Sequence, residues 1–361
     1  MEAKQIPLQL HPLGFIEAFT HFGADLNRLL ENTGITPGML NTTAKISYNQ
    51  QNQLLRNGIR LCRKPGIGLL VGQYMDWNYN GTVGNVVYCS PTLKDAGDAF
   101  RRYLLLAQPY YTMYIHKPNV YIEEHGMVVS PMRYFASPPA DAELNLFEAE
   151  YRLAVTLRIY DMCGNKAVAD PSVRVKLHYP APAHAHLYDE LPCESVTFGC
   201  EESSITAHFE FVTTPFRLFR KPAFDRIVAQ CEAEFQKAEL ESTATRKVRW
   251  HVSAYFNSAP GRQISLEEVA DLLAMSPRAL TRRLAAEGTS FRNILHEVRM
   301  EVAAHHLRSS RLTVEKIAEL MGFSNASSLR RAIKNWTGSS AGEIREQRQS
   351  YNTELESENR D

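Results

Sequence analysis

Three groups of residues have types that could do catalytic, metal or nucleotide chemistry, and each fails on spacing. His184-Ala185-His186 sets two imidazoles one residue apart in a Pro/Ala-rich loop, with no Cys or acidic residue at metal-ligand spacing. Gly66-Ile67-Gly68-x3-Gly72 approximates a phosphate-cradling loop, but its third glycine is misplaced and no βαβ context surrounds it. The six cysteines, Cys62, Cys89, Cys163, Cys193, Cys200 and Cys231, include no C-x-x-C pair. They are too sparse for a disulfide scaffold and read as reduced, mostly buried thiols. No metal site and no cofactor is expected.

A different chemistry is concentrated in the last third. Residues 243–350 hold 17 Lys and Arg against 10 Asp and Glu, whereas 1–242 hold 22 against 26 and 351–361 hold one against four. The formal net charge of zero therefore hides one basic segment, the profile of a local polyanion-binding surface.

The elements that must position this charge form an internal near-repeat. The stretch from Ser265 aligns with the stretch from Thr313: Val269-Ala270 matches Ile317-Ala318, Leu272 matches Leu320, and Ala274 matches Gly322. Leu280, Arg282 and Leu284 then match Leu329, Arg331 and Ile333, one residue having been added in the second turn. Each unit reads as a short helix, a tight turn at a small residue, and a second helix starting at Ser or Asn. Ala270 and Ala318 let the two helices cross closely, and Leu280, Leu284, Leu329 and Ile333 bury against the first helix. The opposite face is left to Arg278, Thr281 and Arg282, and to Ser327, Arg330 and Arg331. Ser265 with Glu268 has capping-box spacing, and Ser276 precedes Pro277 as an N-cap. Such helix starts suit phosphate and groove contact.

Residues 246–347 resemble the DNA-binding module of the AraC/XylS family of transcription regulators. The resemblance is carried by Ser276-x3-Leu280-x-Arg282, Gly288-x-Ser290-Phe291, Arg299-x3-Ala303-x3-Leu307, Ile317-Ala318-x3-Gly322-Phe323 and Leu329-x-Arg331-x-Ile333-Lys334 through Gly338. It implies a long linking helix, about Ser290–Ser309, that presents two recognition helices to successive major-groove faces. By that resemblance Arg278, Thr281, Arg282, Ser327, Arg330 and Arg331 are base-reading candidates, with Lys334 a phosphate contact. Arg282 and Arg331 fall at recurrent family positions, where base reading, phosphate contact and helix bracing all stay open. Two departures stand out: Leu329 and Ile333 replace the usual Phe, and Gly338-Ser339-Ser340-Ala341 lacks the family's proline, which is expected to loosen the start of the last helix.

The first two-thirds mix helices and strands. Helices are expected over 15–34, 47–63, 93–107, 140–163 and 222–240. Strands are expected at Tyr110–His116, Val120–Glu123, Met127–Tyr134, Val173–His178, Val196–Phe198 and Ile205–Phe211, and Thr82–Ser90 has β-branched, strand-like character. The fold class is an α+β N-terminal sensor and dimerisation domain over 1–241, then an all-α domain over 242–350 with two helix-turn-helix motifs, and a disordered acidic tail over 351–361. Residues 11–240 also resemble, more loosely, the N-terminal domain of a subgroup typified by an ornithine-utilisation regulator, through His11-Pro12, Gly68-Leu69-x2-Gly72, Gly81-x2-Gly84, Ser90-Pro91-Thr92-Leu93 and Val196-Thr197-Phe198-Gly199.

That resemblance implies a small-molecule effector, homodimerisation, promoter DNA and RNA polymerase as partners. Trp77, Tyr103 and Tyr111 are candidates to line a ligand pocket and Arg133 to hold a carboxylate, with core packing as the competing reading of the same rings. The alternative is a constitutive dimeric regulator whose N-terminal domain only oligomerises. An enzyme is not expected, because the alkyl-accepting cysteines of related DNA-repair proteins need a zinc cluster or an activated thiol. No secretory leader and no apolar run of membrane-spanning length is visible, so the expected location is cytoplasmic.

Overall fold

A computed structural model of the chain describes residues 5–107, 127–131, 142–163, 173–201, 203–216, 219–240, 243–258, 264–310 and 312–345. Strand β1 (Gln5–Pro7) pairs antiparallel with β2 (Lys45–Ser47) and brackets two helices, α1 (His11–His21) and α2 (Leu26–Leu30). One helix was expected over 15–34. The chain instead breaks at Gly23, whose φ of +100° no helix accepts, and Asp25 restarts it by accepting from the Arg28 N–H at 3.0 Å. Helix α3 (Tyr48–Cys62) opens on a full capping box between Ser47 and Gln50 and ends at left-handed Arg63.

Helix α4 (Ile67–Tyr74) explains the glycine pattern that approximates a phosphate loop. It crosses α7 (Ala142–Cys163) so closely that a Cβ on Gly68 would stand 2.6 Å from the Phe147 carbonyl oxygen, and one on Gly72 2.5 Å from that of Tyr151. The glycines serve helix contact. Between these two helices in sequence lie α5 (Thr82–Cys89), α6 (Leu93–Ala107) and β3 (Met127–Pro131). The strand-like Thr82–Ser90 stretch is thus helical, because tertiary packing overrides β-propensity. Val83, Val86 and Val87 fall at i, i+3 and i+4 and are all buried.

Strands β4 (Arg174–Lys176), β5 (Ser195–Thr197) and β6 (Ser204–His208) join β3 in a sheet of order β3-β6-β4-β5, antiparallel except for the β4–β5 pair. The strand expected over 205–211 stops at His208, where α8 (Phe209–Thr213) begins and turns Phe211 and Val212 into the core. The expected strands at 110–116 and 120–123 lie outside the described residues. Helix α9 (Lys221–Leu240) follows. One apolar core is built from residues between Ile6 and Val212, with Phe15, Phe147 and Tyr151 in mutual ring contact and Phe19 stacked on Phe147; a smaller one joins Val83, Val86, Tyr103 and Cys231.

From Ala244 on, the described residues are helical throughout: α10 (Ala244–Ser258), α11 (Leu266–Leu272), α12 (Pro277–Ala286), α13 (Phe291–Ser309), α14 (Val314–Leu320) and α15 (Ala326–Thr337), with 341–345 opening one more helix. A third core, from Ala244 to Ile344, belongs to these helices alone. The missing proline before the last helix is offset by a reciprocal cap: the Glu343 N–H donates to the Ser340 hydroxyl at 3.1 Å, and the Ser340 N–H to the Glu343 carboxylate. No helix among the described residues is long and apolar enough to cross a membrane.

The turns of the two repeats differ in one residue that matters energetically. Ala274 takes φ +49° where the second repeat has Gly322 at +69°. An L-residue in this region costs about 1–2 kcal/mol, against about 0.5–1 kcal/mol of extra unfolded-state freedom that a glycine brings. Ala274→Gly should therefore stabilise the helical module by about 0.5–1 kcal/mol, read as a raised urea midpoint at unchanged slope. A lowered midpoint would contradict it.

Candidate nucleic-acid interface

Both repeats are built by the same local chemistry. In the first, the Ser265 hydroxyl accepts from the Glu268 N–H at 3.1 Å while the Glu268 carboxylate accepts from the Ser265 N–H at 2.7 Å, fixing the start of α11. In the second, the Thr313 hydroxyl accepts from the Lys316 N–H at 3.1 Å at the start of α14. Each turn is closed by one long-reaching bond, Met275 N–H to the Ala270 carbonyl and Phe323 N–H to the Ala318 carbonyl, both 2.8 Å. Ser276 then caps α12 by accepting from Ala279, and Asn325 caps α15 by accepting from Ser328. Val269, Ala270, Leu280 and Leu284 are buried, as are Ile317, Ala318, Leu329 and Ile333.

The opposite faces are bare. Arg278, Thr281, Arg282, Ser327, Arg330, Arg331 and Lys334, the residues singled out in the sequence, are all exposed. They are not equivalent. Arg278, Arg282 and Arg331 have no hydrogen-bond or ion-pair partner among the described residues, Lys334 is close enough to Glu343 to help lower that carboxyl's pKa, and the Arg330 guanidinium lies 3.1 Å from Glu315 of α14. The Thr281 hydroxyl donates to the Pro277 carbonyl at 2.9 Å, so it faces its own helix. Helix α13, capped by Ser290, joins the two units and places Ile294, Val298, Val302, Ala303 and Leu307 in the core they share.

Several positioning residues were not legible in the sequence. The Arg249 Nη1 of α10 donates to both carboxylate oxygens of Glu301 of α13, at 2.9 and 3.0 Å, while its Nη2 donates to Glu297. Arg299 lies between the rings of Phe256 and Phe323, 5.8 and 5.5 Å from their centroids, and burial lowers its pKa. Glu287, just past α12, accepts from the N–H groups of Ala244 and Thr245 at 2.8 and 2.7 Å and from the Thr245 hydroxyl at 2.6 Å. The end of the first exposed helix thereby grips the start of α10.

Burial works against the Glu287 charge, but the hydrogen bonds from Thr245 and Ala244, with Arg283 nearby, outweigh it and hold the carboxyl below its usual range. A depressed folded pKa means the stabilisation is present above the unfolded value near 4.5 and is lost as pH falls through the folded one. Glu287→Gln should thus cost about 0.5–1 kcal/mol at pH 7, after discounting for solvent screening. The difference should shrink progressively as pH falls below 4.5 and through the lower folded value. A gap between the two urea curves that stays constant as pH is lowered below 4.5 would point to another cause.

Of the N-terminal pocket candidates, Trp77 and Tyr103 are buried with their polar atoms used. The Trp77 indole N–H donates to the Val155 carbonyl at 3.1 Å, and its ring meets Phe100 edge-on at 4.8 Å. The Tyr103 hydroxyl donates to Glu232 of α9 at 2.8 Å, sharing that carboxylate with Arg102. The two rings sit in different apolar clusters and are not brought together; Tyr111 and Arg133 lie outside the described residues. His184 is held by Glu150, 2.5 Å away, which also accepts from the Tyr188 hydroxyl at 2.8 Å. Glu150 shares α7 with two further buried charged residues, Glu148, which burial pushes up to about 8, and Arg152.

Two capped helix pairs with bare, cation-bearing second helices, fixed on one long helix, define a tandem helix-turn-helix DNA-binding regulator. Residues 269–347 match the helix-turn-helix domain family, and residues 23–216 match the family described as the arabinose-binding domain of AraC transcription regulators, N-terminal part. The chain belongs to the AraC family of transcription regulators, proteins that bind DNA and perform no catalysis. It is 27% identical over 343 residues to the ornithine utilization regulator of Pseudomonas aeruginosa, covering 94% of this chain and 97% of that one. It is 25% identical over 334 residues to the transcriptional regulator VirS of Mycobacterium tuberculosis, covering 90% and 92%. The crystal structure of the transcriptional regulator CdpR from Pseudomonas aeruginosa aligns over 89% of this chain and 96% of its own, at 21% identity and a TM-score of 0.43.

Proposed function

We propose that this regulator is a homodimer controlled by a small molecule held in residues 1–241, and that residues 242–350 read promoter DNA through α12 and α15. The observation that carries the DNA part is the repeated placement of Arg278, Thr281 and Arg282 and of Ser327, Arg330 and Arg331 on bare faces of two capped helices. Arg278 and Arg282 on α12, and Ser327 and Arg330 on α15, take base edges, while Lys334 takes a phosphate. The effector part is supported by the match of residues 23–216 to a sugar-binding family and by similarity to a regulator of ornithine utilization. Dimerisation is supported by α9, where Phe224, Ile227, Val228 and Phe235 are only half buried. Two linked modules would then engage repeated half-sites in the cytoplasm with raised effective concentration, beside RNA polymerase.

Thermal unfolding of the full chain against pooled small polar metabolites tests the effector part. A saturable rise in melting temperature is expected, amounting to about 2.7 kcal/mol of stabilisation at a ligand concentration 100 times Kd. A blank across the library, with a dimer present in solution, would favour the alternative that residues 1–241 only oligomerise. Salt-sensitive binding of residues 243–350 to duplex DNA tests the other part. Its absence would remove the DNA-reading assignment of α12 and α15.

A further inference from the structure

Beside the bare face of α15 lies a cleft between that helix and α13, lined by His296, Ser328, Arg331, Ala332, Asn335 and Trp336. We infer that this cleft seats a phosphate of the DNA backbone, and that Arg331 is a phosphate ligand rather than a base reader. The inference rests on the reading that α15 faces DNA, and it assigns to His296, Asn335 and Trp336 a role that their sequence did not reveal.

The lining is rich in donors, two of which, Arg331 and Trp336, cannot accept. Arg331 offers a guanidinium fork, His296 a ring N–H, Asn335 an amide NH2, Trp336 an indole N–H and Ser328 a hydroxyl, and no carboxylate of the described residues lines the cleft. Five donor-bearing side chains around one space fit a ligand that only accepts, and a phosphodiester is such a ligand. The donors are also unspent. His296, Arg331, Asn335 and Trp336 have no hydrogen-bond or ion-pair partner among the described residues, and the Ser328 hydroxyl has a long 3.4 Å contact with Ser324. Trp336 remains 38% exposed, and Ala332 adds little bulk to the lining.

The position of the cleft selects DNA as the source of the phosphate. Ser328, Arg331, Ala332, Asn335 and Trp336 fall at i, i+3, i+4, i+7 and i+8, one stripe of α15. Ser327, Arg330 and Lys334 form the neighbouring stripe, at i, i+3 and i+7. When the second stripe enters a major groove, the first faces the backbone bordering that groove, and His296 on the linking helix meets the same strand from the other side. Arg331 stands on the border of the two stripes. Arg330 is drawn toward Glu315 and away from the cleft, so the two adjacent arginines part to different tasks.

The test uses the full chain, a duplex selected by it from a random-sequence pool, and an unrelated duplex of the same length. For Arg331→Ala, binding to both duplexes should weaken by the same factor. The loss of affinity between 50 and 200 mM salt should become about threefold shallower, the effect of one phosphate fewer. Reselection from the pool with the variant should return the wild-type sequence. His296→Ala and Asn335→Ala should weaken both duplexes equally, and His296→Gln, which keeps a donor, should bind as the wild type does. These residues are exposed on helices, so an unchanged circular dichroism spectrum is expected for each. Reselection with Arg331→Ala that loses preference at one base position overturns the inference, since Arg331 would then read a base. Unchanged affinity and salt dependence for Arg331→Ala and His296→Ala overturns it too, and leaves the cleft to another acceptor such as an acidic peptide. Arg278→Ala on the first repeat separates the two failures: if it alone weakens binding, the cleft is wrong, and if it also has no effect, the placement of both helices on DNA is wrong.

Discussion

Alanine at Arg278 is expected to weaken binding of the selected DNA site by roughly 1–3 kcal/mol, and to relax preference at one base position. The size follows from what the side chain loses and what it had to give up. Arg278 occupies the first turn of α12, directly after Pro277 and the Ser276 cap, and has no partner among the described residues. Its guanidinium is therefore available for a bidentate bond to guanine without breaking an existing one. Arg330 differs in that respect. Its pair with Glu315 is exposed and therefore weak, but it must be given up or shared before a base is bound. Arg330→Ala should thus cost less than Arg278→Ala, and Glu315→Gln should slightly tighten DNA binding. Titration of the three variants on one duplex decides the point, and a larger loss for Arg330→Ala than for Arg278→Ala would reverse the assignment.

Gly84→Ala should be among the most damaging single-methyl changes in the N-terminal half. A Cβ built there would stand 1.7 Å from the carbonyl oxygen of Trp77 and 2.6 Å from its carbon. Both are backbone atoms, so no rotamer change relieves the clash. Either α5 must move off the turn at Trp77, or Val83, Val86 and Val87 must leave their packed positions. Overpacking of this kind costs about 3 kcal/mol, the upper end of its usual range. Gly288 is the control: its Cβ would meet nothing, and Gly288→Ala suffers only its φ of +75°, about 1 kcal/mol. Urea unfolding of both variants should show a midpoint shift several times larger for Gly84→Ala. Equal shifts would mean that α5 yields easily.

The helical module was legible in the sequence nearly to the residue, because its determinants are local. The Ser265–Glu268 capping box, the Ser276-Pro277 start and the buried pairs Leu280/Leu284 and Leu329/Ile333 stand where their spacing puts them. The face they leave bare follows by subtraction. What spacing could not show is which cations remain unpartnered, because Glu315 and Arg330 are 15 residues apart and meet only through the turn between α14 and α15. Glu287 escaped notice for the same reason, its partners being 43 and 42 residues away. In the N-terminal half the misses are also tertiary. Thr82–Cys89 is helical because α6 and α9 bury its valines, and the single helix read over 15–34 overlooked a glycine followed two residues later by a capping aspartate.

Helix α13 has a bearing on how any signal can reach the DNA. Its 19 residues rise about 28 Å at 1.5 Å each, close to the roughly 34 Å of one duplex turn. Both repeats are packed onto it through one continuous core, so the distance and phase between α12 and α15 are those of a ruler cut to length. An input arriving through α9 cannot stretch such a ruler without melting a helix. It can change where a second ruler is laid, and how often the first lies down at all. A response in this protein should accordingly be sought in the separation of half-sites and in occupancy, with the sequence preferred within each half-site staying constant.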